Sequence, residues 1–321
     1  MPNPHPFALL TAAMGGGGSQ DLNENYQIDW TPRLLSSEAW WMDGCAPYRS
    51  KELSVMMPLQ RDTLGTFLEQ YFSAQSVTSI SSNGDGKKLS KKKRSKKNKK
   101  KTSNKKHHSN NIDSASTPTS LVGMEIGVQE GSYSDTLLKK WKSVTKYIMI
   151  DPWSHQENYR DVANVDTRTQ LVKYETTKKK MKKYEKRGVE LVYHKLRSSE
   201  AGRLIEDNSV DFIYIDGRHD YCGVAEDISL YWDKLKPGGI FAGHDYLSQG
   251  DLVGLSTHEW QRWDICSNSS TRTRAVKGAV DDFLDSNNLR GFVTYMDGPP
   301  FLSWMTRKPC HGAINRIEWM L

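Results

Sequence analysis

The chain has 321 residues, a formal net charge of +7 and 36% hydrophobic residues. That length buries one sizeable core with room for a smaller accessory region, and the low apolar share leaves part of the chain outside it. The charge is uneven: 13 Lys or Arg and no Asp or Glu lie between Lys87 and Lys106, so basicity belongs to one tract and does not describe the fold. The cysteines Cys45, Cys222, Cys266 and Cys310 form no C-x-x-C pair. They are too scattered to suggest a disulfide scaffold or a zinc site, which makes a reducing compartment the expectation. No basic-then-apolar leader and no run of 18 apolar residues are present. A soluble intracellular protein is expected, cytoplasmic, with a nuclear destination as the alternative offered by the Lys run.

In chain order, residues 1–20 read as a flexible tail, with Gly15 to Gly18 inside it. Residues 21–73 read as an accessory or lid region packed on the main domain. It holds the aromatic patch of Trp30, Trp40 and Trp41, and the apolar residues Leu64, Phe67, Leu68, Tyr71 and Phe72 at helical spacing. That spacing predicts an amphipathic helix over Thr63–Phe72. Residues 74–120 are poor in large apolar side chains and read as a disordered insertion.

Beyond it, strands alternate with helices. Strands are predicted at Val122–Val128, Tyr147–Ile150, Val189–His194, Val210–Ile215 and Gly239–Gly243. Helices are predicted at Ser132–Trp141, Thr169–Lys186, Ser199–Ile205, Val224–Leu235 and Val276–Asp285. Such alternation implies right-handed crossovers and a parallel sheet. Two late strands near Phe292–Tyr295 and Phe301–Met305 are joined only by the turn sequence Met296-Asp297-Gly298-Pro299-Pro300, so a hairpin with one antiparallel strand should end the sheet. The expected architecture is α/β over residues 121–308: a mostly parallel seven-stranded sheet with helices on both faces and a short tail over 309–321.

Ligands of open parallel sheets sit beyond the carboxyl ends of the strands. The first predicted strand ends in Glu125-Ile126-Gly127-Val128-Gln129-Glu130-Gly131-Ser132, a G-x-x-x-G turn opening a helix, and the second ends in Asp151, placed to accept ribose hydroxyls. Pyrophosphate sites favour a middle glycine that admits phosphate to the helix N-terminus. Gln129 stands there instead, followed by Glu130, which repels phosphate. S-adenosylmethionine has no phosphate and carries a sulfonium cation, so an acidic turn suits it over a dinucleotide. Glu125 is a further candidate for its ammonium group.

The segments Ile215-Asp216-Gly217-Arg218-His219-Asp220-Tyr221, Leu235-Lys236-Pro237-Gly238-Gly239 and Gly243-His244-Asp245-Tyr246 follow in order. With them, residues 121–308 resemble the class I, Rossmann-like S-adenosylmethionine-dependent methyltransferases, most closely the methyltransferase-24 type. The resemblance implies that Gly127, Gly131 and Ser132 form the donor-binding turn and that Asp151 holds the ribose. It also implies that Trp153 flanks the adenine, with Ser198 or Ser199 contacting it, and that Asp216 lies beside the transferred methyl. The helix over Thr63–Phe72 would serve as the helix that normally precedes the first strand.

Asp216, His219, His244 and Asp245 are the candidates for chemistry, with His219 or His244 as general base for a hydroxyl acceptor. Asp216 and Asp245 are also candidate ligands for a divalent cation such as Mg²⁺, which related O-methyltransferases bind with acids at these two strand ends. The accompanying histidines depart from an all-oxygen set. The expected acceptor is a small molecule, recognised by segments Asp21–Met57 and Leu247–Thr273, and no membrane partner is expected. The Lys run offers a non-specific anionic partner, RNA included, but no aromatics for stacking on bases. A binding or interaction module without catalysis is the remaining alternative. His107 and His108 are read as solvated.

Overall fold

The computed structural model describes residues 60–81, 120–255, 260–289, 291–294 and 301–309. The tail, the Trp30, Trp40 and Trp41 patch, the Lys run with His107 and His108, Cys45, Cys310 and the turn Met296–Pro300 lie outside the described residues.

Seven strands form one sheet in the order β3-β2-β1-β4-β5-β7-β6. They are β1 (Val122–Ile126), β2 (Lys146–Ile150), β3 (Glu190–His194), β4 (Val210–Ile215), β5 (Leu235–Gly243), β6 (Gly291–Val293) and β7 (Trp304–Arg307). The first five pair in parallel, with Ile126 opposite both Ile150 and Ile215. β7 runs antiparallel to both β5 and β6, so the one reversed strand sits inside the sheet and β6 forms the edge. Doubly wound α/β topology is therefore present, hairpin included.

The helices are α1 (Leu64–Ser81), α2 (Ser132–Lys140), α3 (Thr167–Glu185), α4 (Ser198–Ala201), α5 (Tyr221–Trp232), α6 (Gln249–Leu255) and α7 (Ala275–Ser286). Alternating strand residues feed the two sides of the sheet. Phe212, Tyr214, Tyr147 and Met149 join one apolar cluster with Leu68, Leu137 and Met181 from α1, α2 and α3. Ile213, Ile215, Ile148 and Ile150 join another with Val224, Ile228 and Val280 from α5 and α7.

Two expectations are corrected. First, α1 runs on to Ser81, nine residues past Phe72. A helix already nucleated by its buried face adds residues at little cost, so a polar continuation does not end it. Second, Cys222 and Cys266 are disulfide-bonded with Cα atoms 5.5 Å apart. Their separation of 44 residues hides the pairing in the sequence. α6 was not foreseen. No described helix is long and apolar enough to cross a membrane.

α1 is fixed firmly. Phe72 stacks on Trp141 at 5.6 Å, and Trp141 meets Phe212 edge-on at 5.7 Å. The Tyr71 hydroxyl donates to the Gly238 carbonyl at 2.6 Å. The Glu69 carboxylate accepts from the Lys142 and Ser143 amides at 2.7 and 2.8 Å. These contacts set where the segment ahead of α1 enters the cleft.

Candidate functional site

The turn after β1 is shaped by contact with β4. Gly127 has φ +84°, and a Cβ there would lie 1.8 Å from the Asp216 carbonyl oxygen, so only glycine lets the two strand ends approach. Gly131, at φ +69°, is the left-handed N-cap of α2. Asp151 braces the turn from β2. One carboxylate oxygen accepts the Val128 and Gln129 amides, both at 2.9 Å, and the other accepts the Trp153 amide at 2.7 Å. Burial nevertheless pushes its pKa up.

The other residues expected on the donor side are deeper or further out than expected. Trp153 is fully buried, gives its indole N–H to the Gln129 carbonyl at 2.7 Å and packs against Tyr174 at 4.6 Å. Glu125 is closed off beneath the turn, accepting from Ser134 and from Tyr147, and burial pushes its pKa up to about 7. Ser132 is exposed and its hydroxyl meets Lys180 at 2.9 Å. Ser198 and Ser199 open α4 after β3, where the Ser198 carbonyl accepts the Tyr231 hydroxyl.

At the ends of β4 and β5 the four predicted side chains converge. His219 Nε2 lies 3.1 Å from Asp245 and 3.6 Å from Asp216, while His244 Nδ1 lies 3.0 Å from Asp245 and 3.8 Å from Asp216. Asp245 adopts φ +55°, and Gln129 and Trp153 are also left-handed, so non-glycine residues in an uncommon conformation stand at three strand ends around one cleft.

Three residues missed by the sequence reading complete the cluster. Asp161 bonds His219 Nδ1 at 3.1 Å and accepts the Trp263 indole N–H at 2.6 Å. Trp263 packs on the His219 ring at 4.6 Å. Arg61, in the 3₁₀ turn before α1, pairs with Asp216. The only signal available was residue type, because each lies 40 or more positions from its partner.

Charge follows from these contacts. Burial alone would favour neutral His219, but Asp245 and Asp161 outweigh it and raise the ring well above its ordinary value, making it an imidazolium at neutral pH. Burial would likewise raise Asp216, yet Arg61 foremost, then His219 and His244, hold its carboxyl well below the usual carboxylate range. Asp161 is also lowered: burial opposes this, and His219 overcomes it. His219 is thus a poor general base in this state, contrary to one of the two expected assignments.

The segment carrying Trp263 is held in place by the Cys222–Cys266 bond, with Cys222 in the first turn of α5, three residues after His219. A backbone bridge between Arg160 and Arg262 joins the same segment to the Asp161 loop.

Residues 124–246 match the family model described as a methyltransferase domain. That span begins in β1, holds the glycine turn, Asp151 and Asp216, and ends one residue past Asp245. Over that span the chain is similar to methyltransferase domains. No curated protein matches the chain. Among solved structures, a Corynebacterium glutamicum protein is similar at 13% identity and a TM-score of 0.39, covering 59% of this chain and 73% of its own. A Bacillus cereus O-methyltransferase in complex with S-adenosylhomocysteine is similar at 15% identity and a TM-score of 0.37, over 58% and 74% of the two chains. A Burkholderia thailandensis 1,6-didemethyltoxoflavin-N1-methyltransferase is similar at 11% and 0.37, over 60% and 72%. Likeness at this level says nothing of an acceptor.

The cleft fits the donor's methionine end. Cation and anion stand side by side there as Arg61 and Asp216, and the Tyr133 hydroxyl, in the first turn of α2, is buried with no hydrogen-bond partner. For a metal, Asp216, His219 and Asp245 offer ligand atoms within 4.8 Å of one another. A divalent cation would have to displace the His219 proton and compete with the Arg61 guanidinium.

Proposed function

We propose that the chain methylates a hydroxyl of a small molecule, with His244 as general base. The observation that carries this reading is the convergence of Asp216, His219, His244 and Asp245 beside the glycine turn. Bound S-adenosylmethionine supplies an electrophilic methyl on its sulfonium.

Asp245, 3.0 Å from His244 Nδ1, assigns the ring proton to that nitrogen and leaves Nε2 as the acceptor of a hydroxyl proton. Asp216 and the imidazolium of His219 hold the charges around it. Trp263, fixed over His219, shields that side of the cluster from water. On the donor side, the turn Gly127–Gly131 and Asp151 receive the adenosine half, with Trp153, Ser199 and Glu125 supporting them from behind and Ser132 marking the outer edge.

The test is acceptor screening followed by mutation. Purified protein is incubated with S-adenosylmethionine and a panel of phenols and aliphatic alcohols, and S-adenosylhomocysteine is measured. With an acceptor in hand, His244→Ala should slow methyl transfer by about 10²–10⁴-fold while donor affinity stays within a factor of a few. An unchanged rate removes His244 from the role.

A second reading is favoured by the compact set Asp216, His219 and Asp245: a divalent cation such as Mg²⁺ would orient and acidify the hydroxyl. Titrating Mg²⁺ or Mn²⁺ by calorimetry decides it, since heat that disappears in Asp245→Asn supports a metal and absence of heat counts against one. The Lys run as an anionic or RNA tether is tested by deleting residues 87–106. Unchanged activity on small acceptors and unchanged polyanion binding would sink the tether.

A further inference from the structure

Arg61 enters the cleft from outside the matched span. Its guanidinium carbon lies 4.1 Å from the Tyr133 ring centroid and 5.4 Å from that of Tyr214, and it pairs with Asp216. Tyr133 belongs to the first turn of α2, directly after the glycine turn, and Tyr214 to β4. The guanidinium is therefore suspended between the donor turn and the strand end that carries Asp216.

Its backbone is held there by α1, which is anchored through Tyr71, Glu69 and the Lys140 ammonium bonded to the Asp62 carbonyl at 2.9 Å. The surroundings are otherwise acidic, with Glu125, Asp216 and Asp245 all near enough to interact electrostatically with this cation. Beneath it, the Tyr133 hydroxyl is a buried donor lacking an acceptor. A buried polar group left without a partner is costly, so it points to a ligand atom that accepts.

We infer that Arg61 is the receptor for the α-carboxylate of the methyl donor, with the Tyr133 hydroxyl as second donor and Asp216 taking the neighbouring ammonium. This rests on the methyltransferase reading above. A methionine end is a zwitterion, and a site for it must present both charges at adjacent positions. Arg61 and Asp216 do so while neutralising each other, and each exchanges its internal partner for the matching half of the ligand when the donor enters. A planar fork suits a carboxylate because two parallel N–H groups meet two oxygens.

Decarboxylated S-adenosylmethionine keeps the sulfonium, the adenosine and the amine and lacks only the carboxylate, so it isolates this contact. By calorimetry, wild type should bind S-adenosylmethionine about 10–100-fold tighter than the decarboxylated analogue, the range of a hydrogen-bonded charge pair. Arg61→Ala should reduce that preference to about threefold or less, mostly by weakening the intact donor, and Arg61→Lys should fall between. Tyr133→Phe should reduce the preference without abolishing it. Equal affinity of wild type for the two ligands overturns the inference without any variant. So does an Arg61→Ala protein, folded by circular dichroism, that keeps the wild-type preference. If wild type binds neither ligand, the methyltransferase reading fails and the Arg61 role fails with it.

Discussion

The two halves of the cleft are held together by different forces. Beyond β1 and β2, where the donor is proposed to bind, backbone does the holding: glycines allow close approach, and the Asp151 carboxylate is wrapped by three amides. Beyond β4 and β5, where the acceptor is proposed to bind, side-chain charge does it. Three carboxylates surround His219, Arg61 closes on Asp216, and a disulfide pins the Trp263 segment. The first half rests on fixed amides and close backbone approach, whereas the charge cluster also responds to whatever replaces one of its members.

The sharpest way to break the donor half is Gly127→Ala. Its Cβ would overlap the Asp216 carbonyl and its φ lies in the left-handed region, so the variant should lose more than about 4 kcal/mol in urea unfolding and lose donor binding altogether. Retained binding would mean that the turn moves freely.

The acceptor half is broken by Cys222→Ser. Releasing a 44-residue loop removes up to about 4 kcal/mol by chain entropy. Hydrogen exchange should quicken over residues 260–274 and stay unchanged over Gly127–Gly131. Quickening in both places would show that the halves are not independent.

The pH contrast follows from the titrating groups. Glu125 has a folded pKa raised to about 7, so its contribution is full below its ordinary value of 4.5 and lost as pH rises from there through about 7. The amplitude is about 3 kcal/mol, and Glu125→Gln should flatten that part of the stability curve. His219 is raised too, and its contribution, full below its ordinary 6.5, is lost as pH climbs through the elevated folded value. His219→Asn should remove the alkaline fall while leaving the Glu125 slope in place.

The smallest effect is a control. Lys178 pairs with Glu175 on the exposed side of α3, and Lys178→Ala should change stability by less than about 0.5 kcal/mol. A larger loss would mean that the basic face of α3 contributes to folding.

Most of the fold and the glycine turn could be read directly from the amino-acid order. Strand β4 is observed at its predicted bounds, and Gly127, Gly131, Asp151 and the Asp216, His219, His244, Asp245 set are legible as strand-end residues in the sequence. Such features are written locally: period-two apolar runs, a glycine turn, a carboxylate at a strand end. The tertiary structure decided which strand reverses within the sheet, that Trp153 and Glu125 are sealed beneath the turn, and that His219 is charged. It also brought Asp161, Trp263, Arg61 and the Cys222–Cys266 bond to the cluster. Each of these depends on residues distant in sequence being folded into contact, where desolvation and neighbouring charge act together, and neither of those quantities has a value until the chain has closed around the site.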